Sequence, residues 1–254
     1  PPAPAMPRKA ASPSVPAPPP DLPRFGGAGT GSDQRPLVAI IIDDMGYRPE
    51  TERLMLALDL ELTFSFLPFS PHLNQSLITA RQQNRDILLH LPLEALDGKW
   101  SSTPGMLLTT MGSEDIADGF AAALARVPMA IGLNNHMGSR FTADPVAMDR
   151  LLAQTARYDL FFLDSLTTPD SVAAAAAARH QVPYLRRDVF LDNDQDEQKI
   201  SAQLESLLKI AEKRGYAIGI GHSYPETLQA LQSFRPELER RAQPVGLSRL
   251  YQLQ

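Results

Sequence analysis

The chain has 254 residues, a formal net charge of −5 at pH 7 and no cysteine. Without cysteine there are no disulfides, no thiolate metal site and no cysteine nucleophile. The mildly acidic charge, with no basic stripe, argues against a nucleic-acid partner. No apolar run approaches the length of a transmembrane helix.

Residues 1–35 are rich in Pro, Ala, Gly and Ser and hold almost no large apolar side chains. Such a segment cannot bury enough surface to offset its ordering entropy, so we predict a disordered linker there. Residues 36–254 are sufficient for one domain with a complete core. Because the sequence begins at Pro1 without Met, we expect that a signal segment or membrane anchor was removed. A linker behind such a segment fits an exported protein of the periplasm or cell envelope.

From Pro36 onward, short apolar runs alternate with helical patterns. The predicted strands are Leu37–Asp43, Leu62–Leu67, Asp86–Leu91, Met129–Asn134, Leu160–Asp164, Val182–Phe190 and Tyr216–His222. The predicted helices are Pro49–Leu58, His72–Gln83, Ser113–Arg126, Pro145–Tyr158, Pro169–Arg179, Asp196–Arg214 and Pro225–Ser233. This alternation predicts an α/β fold with a parallel sheet and right-handed crossovers. The number of units favours a closed or nearly closed (β/α) barrel of about seven strands over a doubly wound sheet.

Polar residues end most of the predicted strands. The series in chain order is Asp43 and Asp44, His90, Asn134 to His136, Asp164, Arg187 and Asp188, and His222. In a parallel barrel these ends meet on one face, which is the face that carries active sites. Asp43 and Asp44 could divide the work of metal ligand and base. The alternative for this pair is a solvated loop that caps the next helix.

Two histidines and an aspartate form a common open site for zinc or a similar divalent ion. His90 and His136 hold equivalent places after successive predicted strands. Glu94 follows His90 by four residues and could be a further ligand or bind the opposite side of the mouth. His222 is the candidate general acid, with the alternative that it caps the helix beginning near Pro225.

Further polar residues have alternative structural roles. Asp164 and Asp188 lie beside the site or cap the following helices. Arg140 and Arg187 bind a carboxylate or an oxyanion, or else neutralise the acidic cluster. Asp192, Asp194 and Asp196 are interpreted as a solvated helix start. The long insertion from Pro92 to Thr110 holds Trp100, which either stacks on a sugar ring or plugs the barrel mouth.

Several segments together resemble the divergent polysaccharide deacetylase family, a branch of the carbohydrate esterase deacetylases. The matching segments are Ile42 to Gly46, His90 to Glu94, Asn134 to Thr142, Phe161 to Ser165, Arg187 to Asp192 and Ile220 to His222. The resemblance implies a distorted (β/α) barrel. It also implies that Asp43 is the base that activates the attacking water, that Asp44 and His90 are metal ligands, and that His222 is the general acid.

The chain departs from the conventional deacetylase motifs at several positions. Glu94 stands where a His-x-x-x-His motif has its second histidine, and we expect His136 to take over that ligand role. No Arg-x-Pro-Tyr or Asp-x-x-Asp-Trp motif is present. Arg187 and Asp164 are the candidates to replace the groups that orient the base. Asn135, Arg140 and Asp188 are further residues expected to bind substrate or support the ligands.

Three functions are consistent with this pattern. The first is a metal-dependent deacetylase acting on an envelope polysaccharide or a peptidoglycan-type glycan. The second is a catalytically inactive, deacetylase-like protein that binds glycan. The third is an envelope protein, tethered through its N-terminal segment, that regulates another enzyme. The paired aspartates and three histidines on one face favour the first, because a structural protein does not need them together.

Overall fold

The computed structural model describes residues 35–98 and 103–252. The predicted linker, apart from Arg35, and Trp100 lie outside the described residues. Among the described helices, none combines the length and the hydropathy of a membrane-spanning segment.

One parallel sheet forms the centre of the described structure. Its strands are β1 Leu37–Met45, β2 Thr63–Phe66, β3 Ile87–Leu93, β4 Gly132–Met137, β5 Phe161–Asp164, β6 Tyr184–Arg186, β7 Val189–Phe190, β8 Tyr216–His222 and β9 Gln243–Pro244. The order across the sheet is β6-β5-β4-β3-β2-β1-β8-β7, and β9 pairs with β1. The sheet curls into a half-barrel, which confirms the predicted α/β fold with a distorted barrel.

Helices surround this sheet. Their bounds are α1 Pro49–Leu56, α2 Leu73–Gln82, α3 Ser113–Arg126, α4 Pro145–Arg157, α5 Ala173–His180, α6 Glu197–Arg214, α7 Pro225–Arg241 and α8 Leu247–Tyr251. Proline at the start of α1, α4 and α7 suits the first helical turn, where its missing N–H leaves no bond unmade.

The apolar core lies in two layers. The larger layer packs the helices against the outside of the sheet, and the smaller one fills the inside of the curled sheet. Val245, Leu247 and Leu250 belong to the inner layer. The chain after α7 therefore closes the inner core and leaves the carboxyl ends of the strands free for a site.

The predicted strand Val182–Phe190 is in fact two strands. Strand β6 pairs with β5, whereas β7 pairs with β8 at the other end of the sheet. Between them, the N–H of Arg187 donates to the carbonyl of Asp164, and the N–H of Asp188 donates to the carbonyl of Ile218. The segment thus changes partners and crosses the gap between the two ends of the sheet.

Candidate functional site

A cavity of about 780 Å³ opens at the carboxyl ends of the strands. Asp43, Asp44, His90, His136 and His222 all line it. The parallel register brings them together, since Asp43 on β1 lies opposite His222 on β8, and Pro92 on β3 lies opposite His136 on β4. For these five residues, the structure confirms the prediction that the strand ends lie together on one face.

The backbone after Asp43 turns sharply and is held by a buried carboxylate. Asp44 has a φ of 58° and Gly46 a φ of 110°, both in the left-handed region. A Cβ on Gly46 would lie 1.9 Å from Ser70 Oγ, so only glycine fits this turn. Glu52 is fully buried, and its Oε1 accepts hydrogen bonds from the N–H groups of Gly46, Tyr47 and Arg48 at 2.7, 2.9 and 2.8 Å. Glu52 therefore fixes the loop that presents Asp44.

Three ligand-type side chains converge next to this loop. The nearest ligand-type atoms of Asp44, His90 and His136 all lie within 4.8 Å of one another. Asp44 Oδ1 is 2.9 Å from His136 Nδ1 and 3.3 Å from His90 Nε2. The Oδ1 atom is buried and accepts no hydrogen bond of good geometry from the described residues.

Asn134 fixes which nitrogen of His90 faces this cluster. The Asn134 amide nitrogen donates to Asp43 Oδ1 and Oδ2 at 2.9 and 3.0 Å. Its oxygen accepts from Ser65 Oγ at 2.5 Å and lies 2.9 Å from His90 Nδ1. Because a carboxylate can only accept, the amide orientation is determined, and Nδ1 of His90 must carry the hydrogen. The lone pair of Nε2 is then directed at the cluster.

This arrangement fits a divalent metal ion. Buried acceptor atoms directed at one another are unfavourable unless a cation lies between them. One carboxylate and two imidazoles leave coordination positions for water and substrate, and the Asn134 contact is the kind of outer support that metal-binding histidines have. Without a metal, a proton on His90 is the alternative that would satisfy these buried acceptor atoms. Burial opposes a charge on His90, yet Asp43 and Asp44 raise the pKa of its imidazole.

Asp43 lies beside this cluster and is not part of it. Its Oδ2 is 3.6 Å from His90 Nε2, and the residue is only 3% exposed. Burial raises the pKa of Asp43, although the imidazoles of His90 and His222 and the Asn134 amide oppose the shift. A carboxylate with a raised pKa is a better proton acceptor than an exposed one.

His222 is paired with Asp192, which the sequence interpretation had placed in a solvated helix start. Asp192 is instead 2% exposed, and its Oδ1 lies 2.8 Å from His222 Nδ1. Its Oδ2 accepts from the His222 N–H at 2.5 Å and from Thr227 Oγ1 at 2.7 Å. Burial opposes protonation of His222, but Asp192, Asp44 and Asp43 raise the pKa of the imidazole to about 9. Within the run of three, Asp196 does cap α6, as its Oδ1 accepts from the Lys199 N–H.

Two aromatic rings flank His222. The ring centroids of Phe190 and Tyr224 each lie 5.3 Å from that of His222. Both rings line the cavity on either side of the imidazole, whose side chain is 14% exposed.

Glu94 anchors the long loop, and no metal-binding cluster in the described residues includes it. Its Oε2 accepts from the N–H and the Oγ1 of Thr109 at 2.8 and 2.7 Å. Its Oε1 is 3.3 Å from Nε of Arg140. Asn135 lines the cavity, where its Oδ1 accepts from the Ser165 N–H and its Nδ2 donates to the Met137 carbonyl.

Asp164, Arg187 and Asp188 do not line this cavity but support its loops, and Arg187 and Asp188 line an adjoining cavity of about 610 Å³. Asp164 is fully buried and accepts from the Leu166 N–H, Ser171 Oγ and Tyr184 Oη. Arg187 donates to the carbonyls of Ser165 and Leu166. Asp188 pairs with Arg214 and accepts from the Ile218 N–H. Asn134 holds Asp43 directly by hydrogen bonds, whereas the charge of Asp43 acts on Arg187 without a hydrogen bond between them, so the expected part of Arg187 and Asp164 in orienting the base stays a prediction.

Sequence reasoning missed Glu52, Asn134 and Asp192 as site residues. Of these, Asn134 had the clearest signal, because it stands in the polar run at the end of a predicted strand.

Comparison with known proteins places these residues in a wider group. Residues 40–251 match the family described as divergent polysaccharide deacetylase. The chain is 37% identical over 195 residues to the uncharacterized protein YibQ of Escherichia coli, a match that covers 77% of this chain and 61% of YibQ. The structure of the uncharacterized protein ATU2773 from Agrobacterium tumefaciens is 26% identical and superposes with a TM-score of 0.82, covering 87% of this chain and 91% of that one.

A more distant structure has the same fold. The Bc1960 peptidoglycan N-acetylglucosamine deacetylase superposes with a TM-score of 0.50 at 12% identity, covering 85% of this chain and 87% of that one. At this identity the likeness shows a common fold.

Proposed function

This chain belongs to the divergent polysaccharide deacetylase family, and from that premise we propose that it is a metal-dependent hydrolase that removes acetyl groups from an envelope polysaccharide or a peptidoglycan-type glycan. The observation that carries the proposal is the arrangement at the cavity mouth. Asp44, His90 and His136 form a three-ligand cluster, with Asp43 on one side and the His222–Asp192 pair on another.

Asp44, His90 and His136 would hold the ion, and zinc is the ion we propose, since two imidazoles and one carboxylate suit it. A bound divalent ion would polarise the acetyl carbonyl and lower the pKa of a water molecule. Asn134 keeps Nε2 of His90 free of hydrogen and so available as a ligand.

Asp43 is the proposed base. The Asn134 amide nitrogen donates to both carboxylate oxygens of Asp43. The Oδ2 atom of Asp43 also lies 3.6 Å from His90 Nε2, next to the ligand cluster. The carboxylate takes a proton from water as the water oxygen forms a bond to the acetyl carbon. Burial raises the pKa of Asp43, which strengthens it as an acceptor.

His222 is the proposed acid. Asp192 holds Nδ1, so Nε2 is directed into the cavity, 3.9 Å from Asp44 Oδ2. With a pKa of about 9, the imidazole carries a proton at neutral pH. That proton passes to the sugar nitrogen or oxygen as its bond to the acetyl carbon breaks. The products are acetate and the free amine or hydroxyl of the glycan.

A glycan substrate implies a site of action outside the cytoplasm, and we propose that the protein works in the periplasm or cell envelope. The composition of residues 1–35, typical of a linker, supports this location. Localisation of an epitope-tagged full-length protein by cell fractionation tests it, and recovery in the cytoplasmic fraction would contradict it.

The test of the function is acetate release from N-acetylated and O-acetylated glycans by zinc-loaded protein. We expect release by the unchanged protein, loss after treatment with a chelator, and recovery when zinc is restored. Asp43→Asn should abolish release, and the exposed Asp194→Asn should not. Glycan binding without release, unaffected by Asp43→Asn, would instead indicate the inactive binding protein.

A further inference from the structure

An arginine at the mouth of the cavity has no acidic partner among the residues that the structure describes. Arg48 follows Asp44 by four residues and precedes α1, and its backbone N–H is held by Glu52 at 2.8 Å. Its guanidinium carbon lies 4.5 Å from the centroid of the Tyr224 ring. Within residues 35–98 and 103–252, its side chain makes no ion pair and no hydrogen bond, in spite of its five N–H donors.

The other arginines near the site are occupied. Arg187 donates to two backbone carbonyls, Arg140 pairs with Glu94, and Arg214 pairs with Asp188. Arg48 is the one arginine or lysine among the described residues that line the cavity. It is therefore the cation available to a bound molecule.

The charges around the cavity leave Arg48 unbalanced. Asp43 and Asp44 together balance a divalent ion, and Asp192 balances a protonated His222. A neutral glycan would leave the guanidinium without a counter-charge, whereas an anionic group would pair with it. The flat guanidinium, held on an aromatic ring, suits the two-oxygen edge of a carboxylate.

Distance limits where that carboxylate lies on the substrate. Arg48 is 4.5 Å from the Tyr224 ring, which is 5.3 Å from the His222 ring, so the guanidinium carbon is no more than about 10 Å from the proposed acid. His222 protonates the departing sugar. The carboxylate therefore belongs to that sugar or to its direct neighbour in the chain.

We infer that Arg48, supported by Tyr224, is a carboxylate-binding subsite and that the substrate is an acetylated glycan carrying a carboxylate close to the acetyl group. This inference rests on the proposed function and narrows its substrate class. The stacked arginine selects the substrate and takes no part in bond cleavage.

The test compares two probes that differ at one group. One is an N-acetylated oligosaccharide with a free carboxylate on the acetylated sugar or its neighbour, and the other is the same oligosaccharide with the carboxylate converted to a primary amide. Binding is measured by calorimetry on the zinc-loaded Asp43→Asn protein, which we expect to hold substrate without turnover. We expect the carboxylate form to bind about 10-fold tighter at low salt and this preference to shrink as salt rises.

Variants of two arginines connect the preference to this subsite. Arg48→Gln should remove the preference, and Arg48→Lys should retain part of it. Arg53→Gln, which changes an exposed arginine in the neighbouring helix α1, should leave the preference unchanged. Equal binding of the two probes, binding of neither, or a preference that survives Arg48→Gln would overturn the inference. The far-ultraviolet circular dichroism of each variant verifies that it is folded.

Acetate release separates this inference from the proposed function. In one outcome, the zinc-loaded protein with Asp43 intact prefers the carboxylate probe but releases no acetate from it. That result would refute the proposed hydrolase function and leave the carboxylate subsite. Release from both probes at equal kcat/KM would refute the subsite and leave the hydrolase. With both correct, Arg48→Gln should raise KM for the carboxylate probe and leave kcat close to its original value.

Discussion

Replacing Asp192 by asparagine should remove the charge that keeps His222 protonated. Burial opposes that proton, but Asp192 at 2.8 Å, together with Asp44 and Asp43, raises the pKa of His222 to about 9. An unperturbed histidine titrates near about 6.5. Asparagine has the same size but no charge, so we expect the pKa of His222 to fall by about 1 unit or more.

This pair should also make stability depend on pH. The pKa of His222 is higher in the folded state than in the unfolded state, so the stabilisation is complete below about pH 6.5 and is lost as the pH rises through about 9. One pKa unit corresponds to about 1.4 kcal/mol, so a shift from about 6.5 to about 9 contributes at most about 3.5 kcal/mol to the free energy of unfolding of the metal-free protein.

The assay uses chelator-treated protein. The pKa of His222 is read from the NMR titration of its ring proton, and the free energy of unfolding is measured in urea at pH 6.5 and pH 9.5. The unchanged protein should lose more stability between these values than Asp192→Asn does, and Asp194→Asn should behave like the unchanged protein. The same pH dependence in Asp192→Asn and in the unchanged protein would refute the reasoning.

Three further substitutions test the supports of the site. Glu52→Ala leaves three backbone N–H groups without their acceptor and should lower the free energy of unfolding by about 3 kcal/mol or more, as measured in urea. The control Glu50→Ala, at an exposed position, should change the free energy of unfolding by less than about 0.5 kcal/mol. Equal losses in the two variants would contradict the role of Glu52. Asn134→Leu removes the partner of His90 Nδ1 and should weaken zinc binding about 10- to 100-fold, as measured in competition with a chromophoric chelator. Unchanged zinc affinity would show that the Asn134 amide does not position His90. Glu94→Ala should speed proteolysis of the long loop without changing zinc affinity, and a loss of zinc would instead identify Glu94 as a ligand.

The positions of the main strands and helices could be predicted because the chain repeats one local pattern, a short apolar strand followed by an amphipathic helix. Strand Tyr216–His222 and helix Ser113–Arg126 have the predicted bounds. Helix α7 runs on to Arg241, whereas the prediction ended it at Ser233, and the observed helix contains Pro236, a residue that usually breaks a helix. Buried Leu231 and Leu238 flank this proline and pack the helix on both sides of it.

The change of strand partner between β6 and β7 could not be predicted, because strand pairing depends on distant parts of the chain. The apolar pattern of Val182–Phe190 indicated one strand, yet its two halves pair with strands at opposite ends of the sheet. Strand β9 and helix α8 were likewise not predicted, since β9 pairs with the distant strand β1 and α8 packs in the inner core formed by earlier strands.

The ligand cluster could be predicted from strand ends, but its supports could not. Asp44, His90 and His136 were predicted to lie together because the ends of parallel strands meet, and they do. Asp192 and Glu52 are buried polar residues whose partners lie elsewhere in the fold, at His222 and at the loop after β1. A local pattern of charges gives no information on such partners, so Asp192 was interpreted as solvated.

The metal content of the purified protein tests the central claim most directly. Elemental analysis after incubation with zinc and gel filtration should give about one ion per chain, and the double variant His90→Ala/His136→Ala should give none. The control His72→Ala/His180→Ala removes the two histidines outside the site and should keep the ion. No ion in the unchanged protein, or the same content in both double variants, would contradict a metal site formed by Asp44, His90 and His136.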